Sequence, residues 1–376
     1  MRIVYVLNSL GIGGAERLTL ALADRMARRG HSVAILVLLP VAAAEWPTAH
    51  RVVHLDIRKS PGSLLAGILR ARRFLREFRP DLIHSHSFHA NILARLLKIS
   101  VPSPKVFTTV HNVYEGGWQR MLAYRLTDSL ACRTTAVSQA AADRVVGLKA
   151  VPVRKCVVLL NGIDCEEFAP SANRRSGKRD EMKAGNNFIW LAAGRLVAAK
   201  DYPNLLRAFR QVHALFPDSH LWIAGEPADS KLVRTVNGRA GYVSGFVTEH
   251  GAMENVRLLG LRRDMPALFD GADGFVSSSA WEGMPLVVGE AMAMEKPVVA
   301  TDVGGTRELV GDAGIMVPAG NSDALAAAMI DLMRQPAERR RVFGQAARTR
   351  IASDFSMDAR ANEWEALYRT AVNLKF

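Results

Sequence analysis

Two glutamates, Glu282 and Glu290, stand eight positions apart in the stretch AWEGMPLVVGEAMAMEKPVVATDVGGTRELV. Only small and apolar residues lie between them, so the pair raises the question why an apolar stretch carries two carboxylates at this spacing. A carboxylate accepts two hydrogen bonds at once, which suits the neighbouring hydroxyls of a ribose or a hexose. Taken alone, the pair is equally well explained as helix-terminus glutamates that the helix dipole stabilises.

A glycine loop, GIGGAE from Gly11 to Glu16, has some of the spacing of a dinucleotide-binding turn. That fingerprint requires glycine or alanine at the sixth position, where this chain has Glu16, and no clear acidic ribose ligand follows the second strand. A glycine loop that opens a helix still presents N–H groups to an anion. A purely structural tight turn is the alternative.

Histidines follow two of the predicted strands. His111 ends the strand in TTVHN, which favours a contact with a ligand over a core position. His84, His86 and His89 in HSHSFH superficially resemble a metal cluster, but no carboxylate or cysteine is adjacent to complete one. We therefore expect no metal and keep His86 as a residue that lines a cleft. A serine hydrolase is excluded because the chain has no Gly-x-Ser-x-Gly motif.

Alternating strands and helices position these residues. An apolar strand (Ile3 to Leu7) precedes the glycine loop, a periodic helix from about Glu16 to Arg28 follows it, and a second strand comes after Gly30. The pattern recurs, and it starts again near Asn187 with FIWLAAGRL. It predicts an α/β protein with two doubly wound parallel sheets. Since such sheets bind ligands at the carboxyl ends of their strands, the polar strand-end residues are expected to face one shared cleft.

The length of 376 residues fits two domains. We predict an N-terminal domain over residues 1–165, a C-terminal domain over 166–355, and a last helix over 356–376 that packs back on the first domain. The polar, charged segment APSANRRSGKRDEMKAGNN, residues 169–187, is predicted to be an exposed loop near the domain boundary.

The positive charge is concentrated in the first part of the chain. Residues 1–150 hold 21 Lys and Arg against 9 Asp and Glu, whereas the remainder holds 28 against 27. This asymmetry predicts an acidic partner for the first domain, such as nucleic acid, anionic lipid or a phosphorylated substrate. The three cysteines lack a disulfide-framework or metal-binding spacing, and no apolar run reaches the ~18 residues of a membrane span. We expect a cytoplasmic protein.

Several motifs together resemble a retaining glycosyltransferase of family 4, with the two-domain GT-B fold, of the kind that builds bacterial cell-surface polysaccharides. They are GGAER (Gly13 to Arg17), TVHN (Thr109 to Asn112), NGID (Asn161 to Asp164), GRLVAAKD (Gly194 to Asp201), the glutamate pair and PVVATDVGGTRELV. The resemblance covers nearly the whole chain. The glutamate pair combined with the Arg–Lys segment is its most specific part.

The resemblance implies a role for each matching residue. Arg195 and Lys200 would bind the diphosphate of a nucleotide-sugar donor, where their charge offsets that of the departing diphosphate. Glu290 would hold the ribose hydroxyls, and Glu282 with the N–H groups that follow it would hold the donor sugar. The remaining expected contacts to the donor and its sugar come from Gly13, Gly14, His111, Leu259, Gly283, Met284, Pro285 and Leu286. Base recognition would use backbone groups near Leu259 and Gly260.

The chain departs from the family pattern after the lysine. Family members often have glycine there, whereas this chain has Asp201. The resemblance also implies that no catalytic metal and no further cofactor are needed. A UDP-sugar is the expected co-substrate.

The first domain is expected to hold the acceptor. LLAGILRARRFLREFRP (Leu64 to Pro80) predicts a helix with Arg72, Arg76 and Arg79 spaced along it. Such a basic amphipathic helix is typical of membrane-surface elements, although a sheet-packing helix with a solvated arginine face explains it as well. Trp118, in the aromatic and basic segment GGWQRMLAYRL, is the second acceptor-side candidate beside His86. We therefore expect peripheral contact with the inner face of the plasma membrane.

The sequence thus predicts transfer of a sugar from a nucleoside diphosphate sugar to a hydroxyl of a lipid-linked or cell-surface saccharide. No carboxylate nucleophile stands in the expected place, which favours front-face substitution. Two alternatives remain open. One is a sugar-nucleotide epimerase or phosphorylase on the same fold, which fold alone does not exclude. The other is a basic nucleic-acid-binding protein, which the aromatic content of 7% disfavours.

Overall fold

The computed structural model describes residues 1–11, 13–41, 45–225 and 255–373. These residues form two compact units. Unit 1 comprises residues 1–162 together with 357–376, and unit 2 comprises residues 163–356. Each unit is built around its own parallel sheet, as the alternating pattern of strands and helices predicted.

In unit 1, the part of the chain that the structure describes forms seven parallel strands in the spatial order β3-β2-β1-β4-β5-β6-β7. The strands are β1 (Arg2–Leu7), β2 (Ser32–Val37), β3 (Arg51–His54), β4 (Leu82–His86), β5 (Lys105–Val110), β6 (Arg133–Ala136) and β7 (Cys156–Val158). The helices between them are α1 (Gly14–Arg28), α2 (Pro61–Phe78), α3 (Phe88–Ser100), α4 (Trp118–Thr127) and α5 (Gln139–Gly147). The strand order reverses between β1 and β4, which makes that place the topological switch point of the sheet.

The described residues of unit 2 form six parallel strands in the order β10-β9-β8-β11-β12-β13. They are β8 (Phe188–Ala193), β9 (Ser219–Ala224), β10 (Val256–Gly260), β11 (Gly274–Ser277), β12 (Val298–Thr301) and β13 (Ile315–Val317). The described helices are α6 (Ala172–Glu181), α7 (Tyr202–Leu215), α8 (Met265–Gly271), α9 (Leu286–Ala293), α10 (Thr306–Val310), α11 (Ser322–Arg334) and α12 (Ala337–Asp354). Here the switch point lies between β8 and β11.

Buried apolar side chains cover both sheets. In unit 2, Trp190, Phe209 and Ile223 belong to the core between the sheet and its helices. In unit 1, the last helix, α13 (Met357–Asn373), packs on α1 and contributes Trp364 and Tyr368 to the core. The final three positions of the helix predicted over 356–376 lie outside the described residues.

The prediction of an exposed loop over 169–187 is wrong, because ten of these residues form α6. Ser171 caps the helix by accepting a hydrogen bond from the N–H of Arg174. Ion pairs then hold it in place, among them Arg174 with Asp270 at 2.6 Å and Lys178 with Asp264 at 2.8 Å. A helix held by charges carries no apolar stripe, so hydrophobic periodicity gave no signal for it.

Candidate functional site

The unit 2 site lies where the carboxyl ends of β8 and β11 meet at the switch point. The two strands are neighbours, with Trp190 opposite Gly274. Lys200 follows β8 and Glu282 follows β11, and the fold brings these two side chains together across 82 positions of sequence. This is the part of an open parallel sheet at which ligands bind.

Lys200 and Glu282 form a salt bridge with an Nζ–Oε1 distance of 2.6 Å. The same Oε1 accepts a hydrogen bond of 2.7 Å from the hydroxyl of Ser279. The Lys200 and Glu282 side chains are 19% and 14% exposed, so both remain within reach of a ligand. An ammonium group has three N–H donors, and the salt bridge uses one of them. The pair can therefore offer N–H donors to an anion and a carboxylate oxygen to a hydroxyl.

Backbone contacts fix the loops that carry this pair. The Ser278 hydroxyl donates to the carbonyl of Lys200 at 2.8 Å, and the Thr301 hydroxyl donates to the carbonyl of Ser279 at 2.7 Å. Gly304 has φ +54°, and a Cβ at this position would overlap the carbonyl oxygen of Glu282. Glycine is required here because only it combines the left-handed conformation with this close approach.

Gly194 and Tyr202 support the lysine from the other side. Gly194 has φ +147°, and a Cβ there would lie 2.7 Å from Cε of Lys200. The Tyr202 hydroxyl donates to the carbonyl of Gly194 at 2.8 Å. Burial and the nearby negative charge of Glu282 raise the pKa of Tyr202, so it remains a neutral donor.

The backbone conformation at Asp201 shows how this chain accommodates an aspartate where family members often have glycine. Its backbone is left-handed, with φ 42° and ψ 50°, the conformation that glycine adopts most readily. Its carboxylate also accepts from the N–H of Asn204 at 3.4 Å, which caps α7. The aspartate thus keeps the turn and adds a helix cap.

Glu290 lies on α9, and its residue surface is 7% exposed. Glu282 lies in the loop before this helix, and Gly283, Met284 and Pro285 between them are buried. Leu286 is the first residue of α9, where helix N–H groups have no partner within the helix. The loop and the short helix therefore present two carboxylates and a helix start in one segment.

Arg195 follows β8, and Leu259 lies near the end of β10; these two strands flank β9 in the sheet. Arg195 is exposed, and its guanidinium forms no ion pair within the described residues. Leu259 is skipped in the pairing of β10 with β9, where Leu258 pairs with Ile223 and Gly260 pairs with the next residue, Ala224. This bulge takes Leu259 out of the regular register, which is typical of positions beside a binding site.

In unit 1, the glycine loop and His86 flank the switch point between β1 and β4. Gly13 is the N-cap of α1 and Gly14 is its first residue, while Ile12 lies outside the described residues. Gly13 has no side chain with which to cap this 15-residue helix. A helix N-terminus at a switch point suits an anionic or hydroxyl-bearing ligand.

His86 and His111 are brought together at the ends of β4 and β5. The Nδ1 of His86 lies 2.9 Å from the Nε2 of His111, at hydrogen-bonding distance. The Nε2 of His86 is buried and has no hydrogen-bond partner within the described residues. Burial lowers the pKa of His111 to about 4 and lowers the pKa of His86 well below its ordinary value, so both imidazoles are neutral near pH 7.

Glu115 holds the turn that carries His111. Its carboxylate accepts from the backbone N–H of His111 at 3.1 Å and from the Tyr124 hydroxyl at 2.9 Å. Burial raises the pKa of Glu115. His84 is engaged at both nitrogens, by the Tyr368 hydroxyl at 2.6 Å and by the Thr109 hydroxyl at 2.7 Å. His84 is therefore a structural residue.

Trp118 begins α4 and is 73% exposed, so it faces solvent. Within the described part of the chain, no group of three His, Cys, Asp or Glu side chains has an arrangement that could bind a metal ion.

Three supporting residues were not predicted from the sequence: Ser279, Tyr202 and Glu115. Ser279 belongs to the run SSS at the end of β11, and Glu115 stands four positions after His111. Polar residues directly after a strand were the available signal, and the sequence interpretation used it only for the histidines, the glutamates and the basic pair.

Family models match both units. Residues 187–335 match a model described as "Glycosyl transferases group 1", and residues 12–167 match one described as "Glycosyltransferase Family 4". The chain belongs to the family 4 glycosyltransferases. The predicted family and fold class are thereby confirmed, and the epimerase and nucleic-acid-binding alternatives are not favoured.

Known relatives of this glycosyltransferase span most of its length. It is 29% identical to the GDP-mannose-dependent alpha-mannosyltransferase of Mycolicibacterium smegmatis, with 93% of this chain and 92% of that protein covered. It is 26% identical to the UDP-Gal:alpha-D-GlcNAc-diphosphoundecaprenol alpha-1,3-galactosyltransferase of Escherichia coli, with 81% and 79% covered. The crystal structure of Anabaena HepE in complex with UDP-glucose matches the fold with a TM-score of 0.84 at 21% identity, covering 98% of this chain and all of that one.

Proposed function

We propose that this glycosyltransferase moves a sugar from a nucleoside diphosphate sugar to a hydroxyl of a lipid-linked or cell-surface saccharide. The sugar keeps its anomeric configuration, and no catalytic metal takes part. The observation that carries the proposal is the Lys200–Glu282 pair with Ser279 at the switch point of unit 2. An ammonium group beside a hydroxyl-accepting carboxylate suits a diphosphate bonded to a sugar.

Each part of the donor is assigned to particular residues. Arg195 and Lys200 bind the diphosphate, Glu282 and the N–H groups after it hold the sugar, and Glu290 holds the ribose. The exposed, unpaired guanidinium of Arg195 supports its part, since it can turn to a phosphate without breaking an ion pair within the described residues. The bulge at Leu259 supports base recognition by backbone groups.

The chemical step is a front-face substitution. The bond between the anomeric carbon and the diphosphate oxygen breaks, and its electron pair stays on the diphosphate. The acceptor oxygen forms its bond to the same face of that carbon and transfers its proton to a diphosphate oxygen. Lys200 and Arg195 stabilise the departing charge, and the loops that fix Glu282 keep the sugar positioned.

A UDP-sugar is the donor we propose. HepE was crystallised with UDP and with UDP-glucose, and the E. coli relative is named for UDP-Gal. The M. smegmatis relative is named for GDP-mannose, so a guanine nucleotide is the alternative.

Unit 1 is assigned to the acceptor and to peripheral contact with the cytoplasmic face of an anionic membrane. The exposed side chains of Trp118, Leu122 and Leu126 recur every four residues along α4, which places them on one face. Together with the basic charge of residues 1–150, this face suits a lipid-linked acceptor. The described residues include no helix long and apolar enough to cross a membrane. The acceptor of the E. coli relative is a diphosphoundecaprenol.

The test is a binding and turnover screen of the purified chain against UDP-, GDP- and ADP-sugars. We expect one UDP-sugar to bind, Glu290→Gln to weaken binding at least about tenfold, and Glu166→Gln, at an exposed glutamate of the same unit, to leave it unchanged. The product with a saccharide acceptor should keep the donor's anomeric configuration by NMR, with EDTA present. Turnover of the nucleotide sugar to an epimer without acceptor, or no effect of Glu290→Gln, would contradict the proposal.

A further inference from the structure

Unit 1 carries a basic cavity at the amino ends of its strands. The cavity has a volume of about 690 Å³. Its charged lining consists of Arg2, Arg72, Arg73, Arg76, Arg79 and Glu77. Arg2 is the first residue of β1, whereas His86 and His111 lie at the opposite, carboxyl edge of the same sheet. At about 3.3 Å per residue, a five-residue strand separates the two edges by roughly 15 Å.

The positive charge in this cavity is largely uncompensated. Glu77 pairs with Arg73 at 2.9 Å, which leaves four of the five arginines without that partner. The guanidinium groups of Arg2, Arg76 and Arg79 form no ion pair within the described residues. The Nε–H of Arg72 is buried and has no hydrogen-bond partner there either. A bound anion would satisfy these donors and relieve the repulsion between them.

The backbone holds the arginines from two elements in one place. The N–H of Arg2 donates to the Asp81 carboxylate at 2.6 Å, and the N–H of Asp81 donates to the carbonyl of Arg2 at 2.9 Å. Arg79 ends α2 in the left-handed conformation, with φ 49° and ψ 61°. Glycine is the residue that suits such a helix end, so this arginine holds a conformation that glycine adopts more readily.

Stabilisation of the helix dipole does not account for the cluster. Basic residues in a last turn are favoured by the dipole, and this explains Arg76. It does not explain Arg2, which comes from a strand. An adjoining cavity of about 500 Å³ shares Arg2, Arg76 and Arg79 and adds two charged residues, Lys105 and Asp81. The cationic groups thus line a continuous recess rather than one face of one helix.

We propose that this recess binds a phosphate group, separately from the nucleotide-sugar site. The guanidinium group matches phosphate oxygens in two-point contacts, and several guanidiniums together suit a doubly charged phosphomonoester or a diphosphate. The phosphate belongs to a lipid head group or to a soluble phosphorylated molecule. The two sources share the same chemistry at the recess.

The experiment measures binding of two probes to the full chain. Pyrophosphate is titrated by calorimetry in the presence of saturating UDP, which occupies the proposed donor site. Vesicles of phosphatidylcholine with and without phosphatidylglycerol are tested by flotation. The test variant is Arg76→Gln with Arg79→Gln. The control is Arg144→Gln with Arg154→Gln, which removes the same charge from exposed positions of unit 1 outside the recess.

We expect the test variant to lose at least about tenfold in affinity for pyrophosphate or for anionic vesicles, and the control to lose little. Loss for pyrophosphate alone assigns a soluble ligand, and loss for vesicles alone assigns a lipid head group. Thermal unfolding and UDP binding of both variants should match the parent chain, which separates this site from the donor site. The proposal would be overturned if the parent chain bound neither probe, or if the test variant and the control lost the same affinity.

Discussion

The two switch points use opposite electrostatics. In unit 2, the fold brings Lys200 and Glu282 together as an ion pair that keeps partial contact with solvent. In unit 1, His86 and His111 meet as neutral rings, because burial lowers the pKa of both. The strand ends of the unit 2 sheet therefore hold charges, and those of the unit 1 sheet hold uncharged hydrogen-bonding groups.

This difference follows from the cost of burying charge. An ion pair at a partly exposed strand end keeps much of its solvation, and Ser279 adds a hydrogen bond to Glu282. An imidazole that is buried or half-buried, without a carboxylate partner, is cheaper in its neutral form. The charged strand ends of unit 2 therefore suit a ligand that is itself charged, and the neutral strand ends of unit 1 suit hydroxyl groups.

Removing the lysine should have the largest effect. In Lys200→Ala, a diphosphate loses one stabilising cation, and Glu282 loses its ion-pair partner. We expect kcat to fall by about 10²–10³, the usual loss when one preorganised donor to a developing charge is removed. Steady-state kinetics with a UDP-sugar, together with calorimetric binding of UDP, would measure it.

The matched control is Arg339→Ala, which removes an exposed charge of unit 2 away from the switch point. His111→Ala provides the comparison between the two edges, since it should lower turnover while leaving UDP affinity within about twofold. Equal losses of UDP affinity in Lys200→Ala and His111→Ala would contradict the assignment of the donor to unit 2 and of the acceptor to unit 1.

Acid should destabilise unit 1 before unit 2. The pKa of His111 is about 4 in the folded chain, against an ordinary value of 6.5. Between these pH values the unfolded chain binds a proton that the folded chain does not. The part of the free energy of unfolding that depends on neutral His111 is therefore fully present above about pH 6.5. It is lost as the pH falls through 4, by at most about 3 kcal/mol for this partly exposed residue.

Hydrogen exchange with mass spectrometry, run from pH 7 to 4 with correction for the intrinsic exchange rate, reports both units in one sample. Peptides from β4 and β5 should lose protection earlier than peptides from β8 and β11. Simultaneous loss in the two sets, or earlier loss in unit 2, would contradict the assignment of neutral histidines to unit 1.

The close approach of Gly304 to the carbonyl oxygen of Glu282 provides a third test. Gly304→Ala forces a left-handed alanine against the Glu282 carbonyl, so we expect unit 2 to lose about 2 kcal/mol of stability and UDP binding to weaken. Gly177→Ala is the control, because nothing lies within 4 Å of a Cβ at that helical position. Denaturant unfolding measures both variants. A neutral Gly304→Ala would show that this loop is not fixed by the close approach.

The sequence predicted both sheets because buried strands and amphipathic helices alternate along it. The strand-end positions of Glu282, Lys200 and His111 were also predictable, since polar residues directly follow apolar runs. The salt bridge between Lys200 and Glu282 was not, because 82 residues separate them and the pattern assigned them to different parts of the donor. The helix α6 was missed because its ion pairs, such as Arg175 with Asp273, take the place of an apolar stripe.

The smallest effect is expected at His84, which lies beside the histidine pair and belongs to the scaffold. Tyr368→Phe removes the hydroxyl at 2.6 Å from Nδ1 of His84 and leaves that buried nitrogen unpaired, which should cost about 1–2 kcal/mol of stability. Tyr114→Phe, at an exposed tyrosine of unit 1, should cost nothing measurable. Turnover at 25 °C should be unchanged in both variants. A loss of turnover in Tyr368→Phe without a loss of stability would instead make His84 part of the unit 1 site, which would then extend two residues further along β4, from His86 to His84.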